Sequence, residues 1–442
     1  LLSSMRGILL LLLTILFENI DTTAMHFQAF DRISKNGEPI LMLDLNNGPI
    51  DTLDRLQFIR LSLDYIPIRS FQEQVNLLKP EEAQPAVIDE IQFRFSNDEF
   101  QPQDQRYDIR FRPTNPLVRK KTKELYQNRK LQLQTDAARA IDKEIFERYE
   151  LIISWIETQQ TLKLIEERIA INKQRIEWLK EYPGADFFDA NSYTDAHADK
   201  LKLWSDKTDL ELKVKELHRS INLKLGDNIS HNYIITWEQN ITLSAQDIEA
   251  YLKSSVEHSL SQPLQVYLAQ LAFQETQLEQ EIERVNTDMG FIQTEYFPNR
   301  SNKSLLGISA GITLPLFHKN RTDLMNLSLE EKERSLDILA EQKKASLEQN
   351  YWKSHLITVL EKYLELVQLY IQMNLQEMRS TLQVLDDYEP LKTLEWQEME
   401  LNWKEIEQQW YFELIKTYIG YLSSKELLSR EPYIDWLDAK SY

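Results

Sequence analysis

The 442-residue chain contains no cysteine, few glycines and a deficit of basic residues. Without cysteine, the chain can form no disulfide bond, no thiol nucleophile and no thiolate metal site. Nine glycines are few for an α/β enzyme, which needs glycine in tight turns and phosphate-binding loops. The 51 Lys and Arg residues face 70 Asp and Glu, a formal net charge of −19. A surface this acidic repels phosphate backbones, so we expect no nucleic-acid partner.

Sequence motifs of catalysis are missing as well. The sequence contains no GxSxG, P-loop or GxGxxG pattern, and its seven histidines are scattered without HExxH spacing. Carboxylates are abundant throughout, so pairs of them are no evidence for a glycosidase. We therefore predict that the protein is not an enzyme and uses neither a cofactor nor a metal.

The N-terminus has the pattern of an export signal. Met5 and Arg6 precede an apolar run at 7–17, and small residues near Ala24 offer a cleavage site. This run is shorter than the roughly 20 residues that a membrane-spanning helix needs. We predict that residues 1–24 are a signal peptide with a short upstream extension; a buried core helix is the alternative. Export to the bacterial periplasm suits a chain without cysteine, because stray thiols would be oxidised there.

Two segments about 200 residues apart alternate between apolar and polar residues, as half-buried strands do. The alternating apolar positions are Ile91, Phe93, Phe95, Tyr107, Ile109 and Phe111 in the first segment and Ile308, Ala310, Ile312 and Leu314 in the second. We predict β-hairpins at 89–113 and 290–315. The aromatic residues Phe291, Tyr296, Phe297 and Phe317 lie at strand ends, where an interfacial girdle or core packing would place them.

Each predicted hairpin is followed by a long run of helical periodicity. Apolar residues recur at spacings of three and four over 120–182 and over 320–385. Each run from strand end to break covers about 65 residues, which is roughly 100 Å of helix. The chain returns in the shorter helical segments 195–225, 245–288 and 391–429. Two long helices of equal length indicate a tube or a long coiled coil.

The order of hairpin, long helix, break and return helix occurs twice, which indicates an internal duplication. The two repeats cover 89–289 and 290–430, and a C-terminal tail covers 431–442. Residues 25–88 form an atypical N-terminal segment that five prolines interrupt, so no helix longer than about 15 residues fits there.

This order of elements resembles the TolC family of outer-membrane channels over roughly residues 90–430. The most specific match is the second half of the chain. There, 250–298 is similar to the helix that leads into the family's third strand, and 307–317 resembles the family's glycine-bearing strand, which here ends in Leu-Pro-Leu-Phe. The resemblance implies a mainly α fold. An elongated helical barrel or coiled-coil domain would carry two β-hairpins that contribute to a trimeric outer-membrane β-barrel.

The resemblance also implies a function. A homotrimer would lie in the outer membrane, in contact with its lipid, and most of each chain would lie in the periplasm. Its tunnel would connect through a periplasmic adaptor protein to an inner-membrane pump, and would pass solutes in efflux or type I secretion. The alternatives are a TolC-like structural protein without an open pore and a soluble periplasmic coiled-coil adaptor.

Two departures from the family favour the structural alternative. The segment before the first hairpin is too short for the family's rising helix. The first hairpin is also strongly charged, with Arg94, Asp108, Arg110 and Arg112. Charge is acceptable on a strand face that lines water, so the chemistry of the two strand faces distinguishes the hypotheses.

The predicted breaks near 183–195 and 385–390 are acidic. Threefold symmetry would bring them together at the periplasmic mouth of the tunnel, where they would favour cations. The candidate residues are Asp186, Asp189, Asp195, Asp386, Asp387 and Glu389. An ordinary solvated loop is the alternative.

Overall fold

The computed structural model describes residues 52–64, 66–83, 85–97, 105–181, 190–226, 234–237, 241–254, 262–285, 290–297, 305–312, 321–373, 390–429 and 433–438. The helices are α1 (Arg55–Arg60), α2 (Ile66–Leu77), α3 (Pro116–Glu181), α4 (Ala190–Leu225), α5 (Ala245–Ser254), α6 (Leu264–Val285), α7 (Arg321–Met373) and α8 (Pro390–Ser424). The strands are β1 (Thr52–Leu53), β2 (Ile88–Asn97), β3 (Gln105–Pro113), β4 (Ile234–Ile235), β5 (Phe291–Phe297) and β6 (Leu305–Gly311). The predicted signal peptide at 1–24 lies outside the described residues.

Helix α3 is 66 residues long, close to the predicted length, but it begins four residues earlier than predicted. Its first residue is Pro116, because proline suits the first helical turn, where its missing N–H is not needed. The Asn115 side chain accepts a hydrogen bond from the Leu117 N–H at 3.0 Å, as an N-cap does. The same side chain donates to the Val285 carbonyl at 2.7 Å, which joins the start of α3 to the end of α6.

Helix α3 packs against α4, α6 and α8, and α7 packs against α6 and α8. Ion pairs along these contacts show that neighbouring helices are antiparallel. Between α3 and α4, Lys224 pairs with Glu147 and Lys207 with Glu166. The pairs between α3 and α8 are Arg168–Glu405, Arg175–Glu398 and Lys416–Glu157. The result is a set of long helices that pack side by side.

The return helices differ from their predicted bounds. The single helix predicted at 245–288 is two helices, α5 and α6, because Pro263 directly before α6 cannot lie inside a helix. Glu426 caps α6, since both of its carboxylate oxygens accept from the Leu264 N–H at 2.9 Å. Helix α8 ends at Ser424, five residues before the predicted end, and Glu426 then takes a left-handed backbone with φ 55°. Helix α7 is described to Met373, so the rest of the predicted run to 385 lies outside the described residues.

The N-terminal segment contains only short helices, α1 with 6 residues and α2 with 12, where it is described. Strand β1 pairs in parallel with β4. The core lies where this segment and the chain end meet the middle of α3. Buried there are Phe58, Ile145, Tyr149, Ile152, Trp237, Tyr418 and Leu437.

The C-terminal end is fastened to α3 by hydrogen bonds. The Tyr149 hydroxyl donates to the Ile434 carbonyl and accepts from the Trp436 N–H, both at 3.0 Å. The buried Asp142 carboxylate accepts from the Ser423 hydroxyl at 2.9 Å and from the Ser429 N–H at 3.2 Å. Burial of this carboxyl group raises its pKa to about 6.

Candidate functional site

The two predicted hairpins form one antiparallel sheet with the strand order β2-β3-β5-β6. Strands β3 and β5 join the hairpins, and Tyr107 lies opposite Tyr296 and Phe111 opposite Ile292. Within the described residues, β2 and β6 are the edges of the sheet. Unpaired backbone groups at a sheet edge can pair with another chain.

One face of this sheet is apolar and exposed. Because side chains alternate along each strand and the register holds across all four strands, their apolar residues share this face. They are Ile91, Phe93, Phe95, Tyr107, Ile109, Phe111, Ile292, Tyr296, Leu306, Ile308 and Ala310. Phe93 and Leu306 are 78% and 79% exposed. An exposed apolar surface of this extent is typical of a face that contacts a membrane or a partner protein.

The opposite face carries the charges of the sheet. All four charged residues that sequence analysis noted in the first hairpin lie on it, so they are separated from the apolar face. Arg106 donates to Asp108 at 2.8 Å and to Glu295 at 2.6 Å, which ties β3 to β5. Arg112 pairs with Glu90 at 3.0 Å. The charge of the first hairpin, which favoured the structural alternative, is therefore compatible with a face that lines water.

Two aromatic residues at the strand ends pack on this polar face. The Arg110 guanidinium lies 3.8 Å from the centre of the Phe291 ring, and that of Arg106 lies 5.5 Å from the Phe297 ring. An interfacial girdle is therefore wrong for these two rings, because cation–π stacking holds them on the charged side. Tyr296 lies on the apolar face, and Phe317 lies outside the described residues.

A glycine pair positions the second hairpin against α6. Gly290, between α6 and β5, has φ +95°, a conformation that side chains with a Cβ rarely adopt. A Cβ on Gly290 would lie 1.9 Å from the Gly311 carbonyl oxygen. A Cβ on Gly311 would in turn lie 2.5 Å from the Phe291 ring. The turn into β5 therefore requires glycine at 290.

Of the predicted acidic residues near the helix breaks, the structure describes only Asp195. It is exposed and lies in the second turn of α4, which begins at Ala190, five residues before the helix start predicted at 195. The other five, Asp186, Asp189, Asp386, Asp387 and Glu389, lie outside the described residues.

Two helices carry apolar stripes that sequence analysis did not identify. On α4 the stripe consists of the exposed residues Leu201, Trp204, Leu212 and Leu223. On α7 it consists of the exposed residues Met325, Leu329, Leu336, Leu339, Leu347 and Tyr351. Each stripe lies opposite the face that packs on the chain's own helices. Both contain residues eleven apart, such as Leu212 and Leu223, and an eleven-residue spacing is typical of neighbouring helices with a slight right-handed twist.

Among the described residues, no group of three or more His, Asp or Glu side chains is arranged to hold a metal ion. In the same part of the chain, no helix combines the length and the apolar character that crossing a membrane requires.

No protein-family model and no curated protein sequence matches this sequence. Solved structures do match. A membrane protein from Pseudomonas aeruginosa aligns at a TM-score of 0.60 and 11% identity, over 92% of this chain and 97% of its own. The outer membrane protein VceC from Vibrio cholerae aligns at 0.59 and 10% identity, over 84% and 96%. The open state of the Neisseria gonorrhoeae MtrE outer membrane channel aligns at 0.61 and 8% identity, over 84% and 88%. The chain therefore has the TolC-like fold of these outer-membrane channels, mainly α with two β-hairpins in one sheet.

Proposed function

We propose that this protein is an outer-membrane channel that assembles as a homotrimer and passes solutes without chemistry of its own. The observation that carries the proposal is the sheet, in which every charged side chain of the paired register lies on one face and the exposed apolar side chains lie on the other. Membrane barrels show this division, with apolar residues toward lipid and polar residues toward water.

The length of the first two strands of the sheet supports a membrane location, whereas β5 and β6 have 7 residues each in the described part of the chain. Strand β2 has 10 residues and β3 has 9. A tilted strand crosses a bilayer in about 9 to 11 residues. The edges β2 and β6 would pair with those of neighbouring copies, because lipid does not tolerate an open sheet edge.

The apolar stripes of α4 and α7 support assembly as a ring. They belong to different repeats of the chain, so the α4 stripe of one copy can cover the α7 stripe of the next. Such a head-to-tail contact closes into a ring when the rotation between copies permits it. The helices would then form a periplasmic tunnel that connects through an adaptor protein to an inner-membrane pump, for efflux or type I secretion. We further propose that Asp195 and the acidic residues outside the described part favour cations at the tunnel mouth.

The proposal is tested by fractionation and crosslinking, followed by recordings from the purified protein in planar bilayers. A trimer in the outer membrane with stable single-channel currents supports it. A trimer without current supports the structural alternative, and a soluble periplasmic monomer contradicts the proposal.

A matched pair of variants tests the ring contact. Leu336→Glu places a charge in the α7 stripe and is expected to abolish the crosslinked trimer. Asn326→Glu places the same charge at an exposed polar position on α7 and is expected to preserve it. Equal trimer yields from both variants would exclude the stripe as a contact surface.

A further inference from the structure

The polar face of the sheet has an excess of positive charge, although the whole chain has a net charge of −19. Its charged residues are Arg94, Arg106, Arg110, Arg112, Glu90, Asp108 and Glu295. Four arginines against three carboxylates leave one positive charge per chain on this face. An acidic protein has thus concentrated arginine on one strand pair.

Ion pairs account for two of the four arginines. Arg112 pairs with Glu90 at 3.0 Å. Arg106 pairs with both Asp108 and Glu295. Arg94 and Arg110 have no carboxylate within ion-pair distance among the described residues. Arg94 donates to the Gln92 side chain at 2.6 Å, and Arg110 donates to the Gln293 side chain at 2.9 Å.

Arg110 is held in a fixed orientation. Its Nε donates to Gln293, which is only 4% exposed and itself donates to Glu295 at 3.1 Å. Its guanidinium plane lies on the Phe291 ring, which is packed over Gly311. No described residue accepts a hydrogen bond from its two terminal nitrogens. A guanidinium that is fixed in orientation and has both terminal nitrogens available can donate two parallel hydrogen bonds to a carboxylate or a phosphate group.

The strand register places Arg110 in a row that is otherwise uncharged. Gln92 and Gln293 are its partners on either side, and Ser309 is the partner of Gln293. In a threefold assembly, this row would form a ring with three Arg110 side chains at one level. Rings of arginine in a pore favour anions.

We propose that the polar face of the sheet is an anion-selective lining of the channel, in which Arg94 and Arg110 bind the carboxylate or phosphate groups of passing solutes. This inference rests on the proposed function, because the face lines a lumen only in the assembled trimer. It names anionic solutes as the class that this part of the channel favours. The acidic residues proposed at the other end of the tunnel favour cations, so the test compares variants with the native protein rather than using the native ratio alone.

The test compares the permeability ratio of chloride to potassium in planar bilayers under a KCl gradient. For the variant Arg94→Gln/Arg110→Gln, we expect the ratio to fall several-fold. One unit charge at roughly 7 Å in water changes the local concentration of a monovalent ion about threefold, and it does so in opposite directions for chloride and potassium. The control is Glu90→Gln/Arg112→Gln, which removes an ion pair and leaves the net charge of the face unchanged. We expect the control to keep the native ratio. Inorganic phosphate is expected to reduce the chloride current of the native channel and of the control, but not that of the first variant.

The outcomes separate this inference from the proposed function. If the native protein conducts and the first variant keeps the native permeability ratio, the anion-selective lining is overturned. The same holds if both variants shift the ratio equally. In either case the proposed channel function is unaffected. If the native protein passes no current, both are overturned. If the double variant forms no trimers, the single variant Arg94→Gln is compared with the native protein instead. The Arg94 side chain is exposed, and within the described part of the chain its hydrogen-bond partner is Gln92. Arg110→Lys is expected to keep the native chloride-to-potassium permeability ratio, because lysine retains the positive charge. The same variant should show a smaller reduction of chloride current by phosphate, because lysine cannot donate two parallel hydrogen bonds as arginine does.

Discussion

Replacing Arg148 with methionine is expected to loosen the N-terminal segment from α3. Arg148 is 0% exposed and contacts three parts of the chain. It pairs with Glu144 at 2.9 Å, donates to the carbonyls of Phe58 and Lys224, and lies 4.7 Å from the Phe58 ring. Methionine fills much of the same volume but donates no hydrogen bond, so this change removes the polar contacts and keeps most of the packing.

The expected loss follows from the groups left behind. The Phe58 carbonyl loses a donor in a buried site and the Lys224 carbonyl in a partly buried one. A lost donor costs about 1 to 3 kcal/mol when the group is fully buried, and less where water can reach it. Glu144 keeps a partner, because Lys224 donates to it at 2.6 Å. The loss should therefore stay near the lower end of the roughly 3 to 5 kcal/mol expected for a broken buried ion pair. About 3 kcal/mol corresponds to a change of roughly 100-fold in the local opening equilibrium.

Hydrogen exchange of the α1 amides measures this local stability. We expect the protection of the α1 amides to fall about 100-fold in Arg148→Met, while the protection of the α7 amides stays unchanged. The control is Arg334→Met on α7, which removes an exposed pair with Glu330 and should have almost no effect. Unchanged protection in α1, or an equal fall throughout the protein, would refute this role for Arg148.

Three further predictions concern stability and assembly. Burial raises the pKa of Asp142 from 3.8 to about 6, so the folded protein holds this proton more tightly than the unfolded chain does. The contribution of Asp142 to the free energy of unfolding is greatest below about pH 4 and falls by about 3 kcal/mol as the pH rises through 6. Denaturation midpoints measured at both ends of this range should therefore shift with pH in the native protein and shift less in Asp142→Asn. Phe93→Arg is expected to cost about 2 to 4 kcal/mol in the membrane and to lower trimer yield in outer-membrane fractions, whereas Gln92→Arg on the polar face keeps it. Gly290→Ala is expected to displace the second hairpin and to give no heat-sensitive trimer on gels, and native-like trimers from this variant would contradict the strain at that turn.

Local patterns in the sequence predicted the long helices and the hairpins, because strong periodicity depends on near neighbours alone. Alternation along β3 already separates Arg110 and Arg112 from Ile109 and Phe111. The pairing of β3 with β5 could not be predicted in this way. It joins residues almost 190 positions apart, such as Arg106 and Glu295, and it decides which arginines are neutralised.

The contacts of Arg148 could not be predicted from the sequence either. Phe58 and Lys224, whose carbonyls accept from Arg148, come from two distant segments, and neither carries a motif. The apolar stripes on α4 and α7 were missed for a different reason. Both helices are apolar on more than one side, so their periodicity does not distinguish a face covered within the chain from one left exposed.

Spin labels along β2 distinguish a sheet with one face in lipid and the other in water from a sheet that is surrounded by water. Because the chain has no cysteine, single cysteines at 91–96 can be labelled in the reconstituted protein without a background signal. We expect the accessibility of the labels to alternate along the strand. Labels at Ile91, Phe93 and Phe95 should be accessible to oxygen dissolved in the lipid, and labels at Gln92, Arg94 and Ser96 to a water-soluble nickel complex. Uniform accessibility to the nickel complex along the whole strand would contradict this expectation.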